Sequence, residues 1–600
     1  MNNQKAFDCV CPLNQEQLSF LQQLEHNCSD IQNAWLSGYF WRSANKNTHF
    51  SVIEKQLVNI EQKITIISAS QTGNAKLLSQ RLNKYFNQNS IKNNLIHALD
   101  YKFKNIKNEK ILILIISTQG EGEVPEEAIS FHNFIMSKRA PKLDNLYYSI
   151  FGLGDTSYNL FCQAAKDFDR RLQELGAKSL LCRFDADIEY EKDYLAWSQK
   201  ILSIVKNKCV SFSSSSKNLK NQDHLINNQC SYNKNYPAIA TVLTNQKITG
   251  RYSSKDIRHI EIDIKDLNIS YKPGDALGVW YKNDSNLIKK ILTSLSINPL
   301  EQVNIKNNVI SIFDALKNHF ELTVNTTNMV KKYAAFSKNH FLNNLILNKI
   351  RLNEYVTNTP LVNMFHDHKS KISSEQLINF LRPLHPRLYS ISSSQSETND
   401  EIHITVGVVK KNISGSFHFG GASGYLSQAL KPDDKIKIFV EANDSFRLPQ
   451  DQKTSMIMIA SGTGIAPFRA FMQQRDYDQS LGKNWIFFGN PSFTEDFLYQ
   501  IEWQRYIKSG LLNKITLAWS RDQADKIYIQ DKIREHGKEM WSWIKDGAAI
   551  YVCGNASKMA KDVELALLDV ISNNNNMNIE DAKDFLSSLR MNKRYQRDVY

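Results

Sequence analysis

One segment of the chain combines hydroxyl side chains with a glycine directly after an apolar strand. Residues 63–74 read KITIISASQTGN, so Ser68, Ser70 and Thr72 come at the end of a predicted strand and before a predicted helix. Hydroxyls and the N–H groups of a helix N-terminus can hold an anion. The segment lacks the lysine of a nucleotide-hydrolysing P-loop, so it favours a phosphate monoester that is bound and not transferred. Taken alone, it fits a Ser/Thr-rich turn without a ligand equally well.

Two further loops follow predicted strands at suitable intervals, STQGEGE over 117–123 and GLGDTSY over 152–158. In a doubly wound sheet the ligand lies outside the carboxyl ends of the strands, where all three loops would meet. Glycines let a flat ring approach the backbone, and Tyr158 offers an aromatic face. Together the loops resemble the FMN site of flavodoxin-like domains. That resemblance implies FMN contacts at Ser68, Ala69, Ser70, Gln71, Thr72, Gly73, Ser117, Thr118, Gln119, Gly120, Leu153, Gly154, Asp155, Thr156, Ser157, Tyr158, Asn159, Leu160, Phe161 and Cys162.

A second constellation lies in the middle of the chain, with RLYS at 387–390, TVG at 405–407 and GGAS at 420–423. The forked donors of Arg387 suit a pyrophosphate oxygen, and Tyr389 suits a flavin face. Each piece alone is typical of an ordinary strand or turn. Together they resemble the FAD site of the ferredoxin–NADP reductase family. The resemblance implies FAD contacts at Thr323, Arg387, Leu388, Tyr389, Ser390, Thr405, Val406, Gly407, Gly420, Gly421, Ala422, Ser423 and Tyr600.

A third constellation places glycines and cations at strand ends near the C-terminus. Residues 460–469 read ASGTGIAPFR after an apolar strand, which predicts a strand–helix turn beneath a pyrophosphate. Arg521 suits the 2′-phosphate of a nicotinamide cofactor, so NADPH is favoured over NADH, although a solvated charged loop is the alternative. The expected NADP contacts are Gly462, Thr463, Gly464, Ser520, Arg521, Lys526, Ile527, Tyr528, Ile529, Gln530 and Asp562.

The patterns around these loops predict an α/β multidomain chain. We expect a helical segment over 1–62, a flavodoxin-like doubly wound domain over 63–206 and a flexible linker over 207–235. An antiparallel β-barrel for FAD is expected over 236–450, with a helical insertion at about 283–384. Strand–helix alternation over 451–600 predicts an α/β domain for NADP.

Composition narrows the class of protein. The net charge is +13, but the lysines are dispersed among Asn and Ile instead of lying with aromatic residues on one face, so a nucleic-acid partner is not expected. Acidic residues cluster at 121–127 and 185–193, which indicates steering of a protein partner. No apolar run approaches the ~18 residues of a membrane span, and the N-terminus lacks a signal-peptide pattern, so a cytoplasmic protein without membrane contact is expected.

The eight cysteines contain no C-x-x-C pair, and no histidine cluster accompanies them. We therefore expect no metal, iron–sulfur or haem centre in this chain.

In this order, the sites resemble the diflavin reductase family, in which a flavodoxin is fused to a ferredoxin–NADP reductase. The resemblance runs from about Lys63 to Tyr600, and STQ at 117–119 with RYQRDVY at 594–600 is similar to the flavoprotein branch of the assimilatory NADPH–sulfite reductases. It implies that NADPH gives a hydride to FAD, and that electrons pass singly through FMN to another protein. The residues implied in hydride transfer are Ser390, Cys553, Asp598 and Tyr600. Lys411 and Ser461 depart from the family pattern.

The resemblance also implies partners. A sulfite reductase haemoprotein (beta) subunit carrying siroheme and an iron–sulfur cluster would accept the electrons, and the N-terminal segment would form a homo-oligomer. One alternative is a donor for a P450, methionine synthase or another haem protein. Another is a relic subunit that holds an assembly together without turnover, although retention of every cofactor motif argues against it.

Overall fold

The computed structural model describes Phe20 and residues 64–70, 73–120, 122–156, 158, 160–209, 232–305, 307–413, 415–556 and 558–600. The chain divides into two compact units, Met1–Glu61 and Gln62–Tyr600. In the first unit only Phe20, an exposed helical residue, is described. The expected oligomerisation segment over 1–62 therefore lies outside the described residues, as does most of the expected linker over 207–235.

The second unit begins with a parallel sheet packed on both faces. Its strands have the order β2-β1-β3-β4-β5. Successive strand side chains point to opposite faces, so Ile67 and Leu112 enter one apolar cluster while Ile66 and Ile113 enter another. The strands are β1 (Ile64–Ala69), β2 (Asn93–His97), β3 (Ile111–Ser117), β4 (Tyr147–Leu153) and β5 (Lys178–Ala186), and the helices are α1 (Asn74–Gln88), α2 (Ile129–Met136), α3 (Gln163–Glu174) and α4 (Glu191–Cys209).

Three antiparallel strands and a helical segment follow. The strands are β6 (Ala238–Lys247), β7 (Ile257–Asp263) and β8 (Ala276–Trp280). The helical segment buries its own apolar cluster. Its elements are α5 (Ser285–Leu295), β9 (Gln302–Ile305), β10 (Asn308–Ser311), α6 (Ile312–Asn318), β11 (Phe320–Glu321), α7 (Thr327–Ser337), α8 (His340–Leu345), α9 (Lys349–Asn358), α10 (Leu361–Asp367), α11 (Ser374–Phe380) and β12 (Arg382–Pro383).

The chain then returns to the antiparallel sheet and completes it in the order β13-β8-β17-β6-β7-β14. Isoleucines and valines of these strands form the buried interior. The elements are β13 (Arg387–Ser390), α12 (Gln395–Thr398), β14 (Glu401–Gly407), β15 (Lys410–Ile413), β16 (Ser416–Phe419), α13 (Gly421–Gly424) with a π-helical turn at Tyr425–Ala429, and β17 (Lys435–Glu441).

A second parallel sheet ends the chain, with the order β20-β19-β18-β21-β22. The last strand lies at one edge, beside β21. The elements are β18 (Met456–Ser461), α14 (Ala466–Tyr477), β19 (Asn484–Asn490), α15 (Phe493–Asp496), α16 (Gln500–Ser509), β20 (Lys514–Trp519), α17 (Ile529–Glu535), α18 (Gly537–Lys545), β21 (Ala549–Gly554), α19 (Met559–Asn575), α20 (Ile579–Met591) and β22 (Tyr595–Val599).

The expected fold class is confirmed by these sheets and their order along the chain. The domain boundaries given above stay predictions. Among the described residues, no helix is both long and apolar enough to span a membrane.

Candidate flavin and nicotinamide sites

The first predicted FMN loop joins β1 to α1. The Ser70 hydroxyl accepts the Ala75 N–H at 3.2 Å, and the Ser70 N–H donates to the Glu127 carboxylate at 3.3 Å. Gly73 precedes the helix with a φ of 80°. Burial, opposed by the Ser70 N–H and by Lys76, raises the pKa of Glu127. A carboxyl group that protonates more readily is compatible with an anion held by the same loop.

Not every residue of this loop presents its side chain to a ligand. Ser68 still belongs to β1, is fully buried, and shares a hydrogen bond of 2.6 Å with His97 Nδ1. Its hydroxyl is therefore engaged inside the sheet, and Ala69 is also fully buried. Gln71 and Thr72 lie outside the described residues.

The second and third FMN loops leave the same edge of the sheet. Parallel pairing places Ala69 beside Ile116 and Ser117 beside Leu153, and the Thr118 N–H donates to the Leu153 carbonyl at 2.9 Å. The carboxyl ends of all three strands thus converge, as a ligand at this sheet edge requires.

Two observations describe the state of these loops. The hydroxyl of Thr118 is buried without a hydrogen-bond partner in the described part of the chain, so it has capacity for a ligand atom. A Cβ on Gly154 would lie 2.8 Å from Cys162 Sγ and 2.9 Å from the Phe161 ring, so only glycine allows this close loop packing.

The outer rim of this site is apolar and accessible. Tyr158 is 46% exposed and Leu160 45% exposed, as expected for side chains that cover a ring. Thr156 is fixed by a 2.6 Å hydrogen bond to Asp187, and Asp155 pairs with Arg382 at 2.5 Å. Ser157 and Asn159 lie outside the described residues.

The predicted FAD strand carries a charged cluster. The Arg387 guanidinium lies 3.3 Å from Glu321, which also accepts hydrogen bonds from Tyr281 and Thr323 at 2.6 Å each. Although burial opposes it, the hydrogen bonds from Thr323 and Tyr281 and the charge of Arg387 hold the pKa of Glu321 below its usual value. The contact uses one of the five N–H groups of Arg387, so the fork retains capacity for a pyrophosphate oxygen.

The remaining predicted FAD residues surround this strand. Leu388 is 40% exposed and Tyr389 is half-buried. Val406 is fully buried, so only its backbone is available, and the Thr405 hydroxyl shares a 2.6 Å hydrogen bond with Tyr499. Leu388 is therefore more open to a ring than Tyr389, which also packs against the apolar interior.

The glycine-rich turn of the FAD site starts at Gly420, whose N–H donates to the Val409 carbonyl at 2.9 Å. The Ser423 hydroxyl accepts the Val409 N–H at 3.1 Å. Gly421 and Ala422 lie between these contacts in α13. Lys411, on the neighbouring hairpin, is exposed.

The four residues implied in hydride transfer come together although they are distant in sequence. The Ser390 hydroxyl donates to Asp598 at 2.8 Å, and Cys553 Sγ lies 4.0 Å from the same carboxylate oxygen. Burial, opposed by the Ser390 hydrogen bond, raises the pKa of Asp598. Burial and the charge of Asp598 raise the pKa of the Cys553 thiol, so the sulfur is a neutral hydrogen-bond donor.

Tyr600 lies beside this cluster, because it follows β22 directly and is bonded to the residue after Cys553. Its hydroxyl and that of Thr463 are 2.9 Å apart, its N–H donates to the Gly554 carbonyl at 3.0 Å, and its carbonyl accepts from Ala556 at 3.1 Å. The side chain is 55% exposed. An aromatic ring that is fixed at its backbone and open to solvent can act as a cover.

The glycine turn of the NADP site follows β18. A Cβ on Gly464 would lie 2.2 Å from the Cys553 carbonyl oxygen, so the turn and β21 are in direct backbone contact. Ser461 precedes the turn and is half-buried, and Gly462 has a φ of 56°. The contact sets the turn beside Cys553, one of the residues implied in hydride transfer.

The predicted 2′-phosphate loop is exposed and carries two cations, Arg521 and Lys526, together with two acids, Asp522 and Asp525. The Arg521 and Lys526 side chains lie in solvent, and Arg521 Nη1 is 3.3 Å from Ser254 Oγ. Backbone bonds from Ser520 to Asn490 and from Arg521 to Pro491 hold the loop at the end of β20. This arrangement suits a doubly charged phosphate.

The other predicted residues of this loop differ in exposure. Tyr528 is exposed, Ile527 is half-buried, and Ile529 is buried in the core, so a contribution from Ile529 would come from its backbone. Gln530 lies 3.5 Å from Asp562.

Sequence reasoning missed residues that lie far away along the chain. Lys255 donates to Asn490 at 2.8 Å, and its Nζ would lie 3.7 Å from a Cβ on Gly462. Burial lowers the pKa of Lys255, partly offset by Asp496. No local pattern singles out a lysine between two barrel strands, so only the folded chain reveals this cation beside the turn.

Part of the predicted acidic surface is used within the chain. Glu123 pairs with Lys561 at 2.8 Å, and Glu126 pairs with Arg597. These two carboxylates therefore link the flavodoxin-like region to the C-terminal sheet.

One cluster brings together groups that could hold a metal ion, namely His259, Glu261 and His403, whose ligand atoms lie within 4.8 Å of one another. Arg469 donates to His403 Nδ1 at 3.2 Å, and a 3.0 Å hydrogen bond links His259 to Tyr499. Burial, Arg469 and His259 lower the pKa of His403 to about 3. A guanidinium at this distance disfavours a second cation, so the geometry fits a hydrogen-bond network in which both imidazoles are neutral.

Comparison with known proteins agrees with this geometry. Family models match in order: flavodoxin over residues 66–197, FAD binding domain over 230–425 and oxidoreductase NAD-binding domain over 458–565. The chain is 64% identical over 601 residues to the sulfite reductase (NADPH) flavoprotein alpha-component of Buchnera aphidicola subsp. Acyrthosiphon pisum, with 100% of both chains covered. Proteins of the same name from Cronobacter sakazakii and Yersinia enterocolitica are each 50% identical, again with 100% of both chains covered.

The expected cofactors FMN, FAD and NADPH are confirmed by the three matched domains. The likeness extends over the whole chain. The chain is thus an NADPH-dependent diflavin reductase that belongs to the family of sulfite reductase (NADPH) flavoprotein alpha-components.

Proposed function

We propose that the chain delivers electrons from NADPH to a haemoprotein subunit that reduces sulfite to sulfide. One observation supports internal electron transfer above all others: three regions meet at β22. Asp598 bonds Ser390 of the FAD region, Gln119 of the second FMN loop donates to the Val599 carbonyl at 2.5 Å, and Tyr600 bonds Thr463 of the NADP turn. Sulfite as the final acceptor comes from the name of the relatives.

When bound, FAD accepts electrons as a pair and FMN releases them singly. The chain supplies the surroundings of that exchange. Ser390 Oγ and Cys553 Sγ flank Asp598 Oδ2, so hydroxyl, thiol and carboxylate can orient the nicotinamide against the flavin edge. Polar groups fixed before the reaction cost no reorganisation during it.

Recognition of the nucleotide falls to other residues of the proposed site. Arg521 and Lys526 hold the 2′-phosphate, and the turn at Gly462–Gly464 carries the pyrophosphate. Arg387 and the Gly420–Ser423 turn hold the FAD pyrophosphate, and the loops after β1, β3 and β4 enclose FMN.

The electron acceptor is a separate subunit with siroheme and an iron–sulfur cluster, because the eight cysteines of this chain contain no C-x-x-C pair that would hold such a centre. Residues 1–62 form the contact between copies of the chain, and the reaction takes place in the cytoplasm, where NADPH is the reductant.

The purified full-length chain with NADPH should reduce ferricyanide or cytochrome c but form no sulfide from sulfite. Addition of the haemoprotein subunit should start sulfide formation at a rate that depends on both proteins. Heat-denatured haemoprotein is the control. Sulfide from the chain alone would refute the need for a partner, and efficient transfer only to a P450 or to methionine synthase would assign another acceptor. A flavin-loaded chain that fails to oxidise NADPH would indicate a structural relic.

A further inference from the structure

The helix that follows the glycine turn of the NADP site also contacts the region of the FAD site. The turn spans Gly462–Ile465, and α14 begins directly after it. Arg469 is the fourth residue of this helix and is 7% exposed. Its Nη1 donates to the Ser392 carbonyl at 2.8 Å. Because Ser392 comes two residues after Ser390, one side chain of the helix links the glycine turn to the segment that carries a hydride-site residue.

Further contacts fix the Arg469 side chain. Nε donates to both oxygens of the Glu502 carboxylate, at 2.8 and 3.0 Å, and Nη1 donates to His403 Nδ1 at 3.2 Å. The guanidinium carbon lies 4.9 Å from the centre of the Tyr499 ring, which is a cation–π contact. Although burial opposes it, Tyr499 and Glu502 raise the pKa of Arg469, so the guanidinium stays charged. A planar fork held by these partners has little freedom to move.

Two glutamines of α14 hold the same segment of the FAD region. The Ser394 N–H donates to Gln473 Oε1 at 2.8 Å, and the Ser394 hydroxyl donates to Gln474 Oε1 at 2.6 Å. Gln473 lies four residues after Arg469, so these two side chains share one face of the helix. The helix is thus attached at three points to the buried segment 392–394.

The distance between the two joined regions matters for the reaction. In the proposed site, a hydride moves from a nucleotide at the glycine turn to a flavin at β13. A misplacement of about 1 Å between reacting groups can cost about a hundredfold in rate. The turn is already in backbone contact with β21 at Gly464. The contacts of Arg469 add a second fixed distance, from the turn to the strand of Ser390.

We propose that Arg469 is a positioning residue for hydride transfer, which fixes the distance between the glycine turn and Ser390 by holding α14 against the Ser392 carbonyl. The proposal rests on the proposed roles of that turn and of Ser390. Binding of the nucleotide uses the turn itself, whereas hydride transfer also requires the turn and the flavin to be correctly spaced. A change at Arg469 should therefore slow hydride transfer at saturating NADPH and leave the affinity for NADP unchanged.

The test uses the full-length flavin-loaded protein and two variants of the contact. Arg469→Lys keeps the charge beside Glu502, but a single ammonium group cannot reproduce the fork that also reaches Ser392. Gln473→Met keeps the length of the side chain and removes the acceptor of the Ser394 N–H. Both variants loosen the attachment of α14 to the FAD region without changing the glycine turn.

Arg475→Lys is the matched control. Arg475 lies on the same helix, is 2% exposed, and donates to the carbonyls of Thr454 at 3.1 Å and Gly482 at 2.8 Å. These partners belong to the region of the C-terminal sheet, so this variant should lower thermal stability without changing the spacing of the two sites. The melting temperature and the flavin content per chain are measured for every variant.

Stopped-flow absorbance of the flavin at saturating NADPH is the first readout. FAD reduction should slow about ten- to hundredfold in Arg469→Lys and about three- to tenfold in Gln473→Met, and it should stay within about twofold of wild type in Arg475→Lys. The second readout is the isotope effect on this rate with NADPH deuterated at the transferred hydrogen. It should rise in the first two variants, because hydride transfer becomes slower than the steps before it. The dissociation constant of NADP should stay within about twofold of wild type in all variants.

An unchanged rate of FAD reduction in Arg469→Lys would overturn the proposal. Equal slowing in Arg475→Lys would do the same, as would a loss of NADP affinity large enough to account for the slower rate. If Arg469→Lys fails to fold, Gln473→Met decides the question by the same criteria. Absence of sulfide formation with the haemoprotein would instead refute the proposed function, because FAD reduction is measured without that partner.

Discussion

The two ends of the proposed NADPH site are built in different ways. At the hydride end, Asp598 contacts Ser390 and Cys553, and packing holds all three in place. Cys553 is fully buried, and Ser390 comes from a strand more than 200 residues earlier in the chain. Around Arg521 the side chains are exposed, and its guanidinium has a 3.3 Å contact with Ser254. We therefore expect folding to fix the hydride end and ligand binding to complete the geometry of the phosphate end.

This difference follows from what each end must do. Groups that act on a reacting atom lose little energy to reorganisation only when packing holds them in place. A phosphate with two charges can be recognised by mobile cations, because charge-assisted hydrogen bonds are strong and tolerate variation in approach. Substitutions at the two ends should consequently affect different quantities.

We expect the largest effect on FAD reduction from a substitution at the hydride end, around Asp598. Asp598→Asn keeps the shape but removes the charge that organises Ser390 and Cys553, so FAD reduction by NADPH should slow about a hundredfold. Stopped-flow absorbance of the flavin measures this rate. Asp569→Asn, at an exposed acid of α19, is the control. A loss of NADPH affinity with an unchanged reduction rate would contradict the comparison.

The pH dependence of the FAD reduction rate also tests the role of Asp598. Since burial raises the pKa of Asp598, its carboxylate becomes protonated at a higher pH than that of an exposed aspartate. The wild-type rate of FAD reduction should fall as the pH drops through this raised pKa, and Asp598→Asn should lack that decline. Parallel profiles for the two proteins would assign the titration to another group.

A substitution at the phosphate end, around Arg521, should have a smaller effect, and that effect should fall on NADPH and not on NADH. Arg521→Ala removes a charge-assisted contact to the 2′-phosphate worth about 1.5–3 kcal/mol, which weakens NADPH use about ten- to hundredfold. NADH lacks that phosphate and should be affected far less. Steady-state kcat/KM with both cofactors measures the ratio. Arg534→Ala, which breaks an exposed ion pair with Asp569, should leave the ratio unchanged. Equal losses for both cofactors would show that Arg521 does not read the phosphate.

Tyr600 lies at the hydride end, where its hydroxyl bonds Thr463, and its substitution should give the smallest change. Stacking of aromatic rings contributes about 0.5–1.5 kcal/mol, so Tyr600→Ala should raise the NADH rate about two- to tenfold relative to the NADPH rate. NADPH can displace the ring with the help of its phosphate contacts, whereas NADH cannot. An unchanged rate ratio would leave Tyr600 without a role in selectivity.

The sequence predicted the features that depend on local pattern. Strand–helix alternation, the change to antiparallel strands and the helical insertion all leave a periodic signal, and the glycine and hydroxyl loops lie directly after their strands. The position of Ser68 shows where local reasoning stops. The strand extends one residue beyond it, so its hydroxyl lies inside the sheet with His97 instead of at the loop.

Contacts between distant segments could not be predicted in this way. No local pattern marks Lys255 and Asn490, or Glu126 and Arg597, as partners. Each pair comes together only in the folded chain. Sheet order is set by packing of whole elements and not by any one motif. The edge position of β22, which brings Arg597 to the flavodoxin-like region, belongs to this class.

The backbone contact at Gly464 limits which substitutions the glycine turn can accept, whereas the loop around Arg521 has no such limit. A side chain there would collide with the Cys553 carbonyl at 2.2 Å and push the glycine turn away from β21. Residues 521–526 are exposed and have space for larger or oppositely charged side chains. We therefore expect substitutions that change the preferred nicotinamide cofactor to be tolerated at residues 521–526 and not at Gly464.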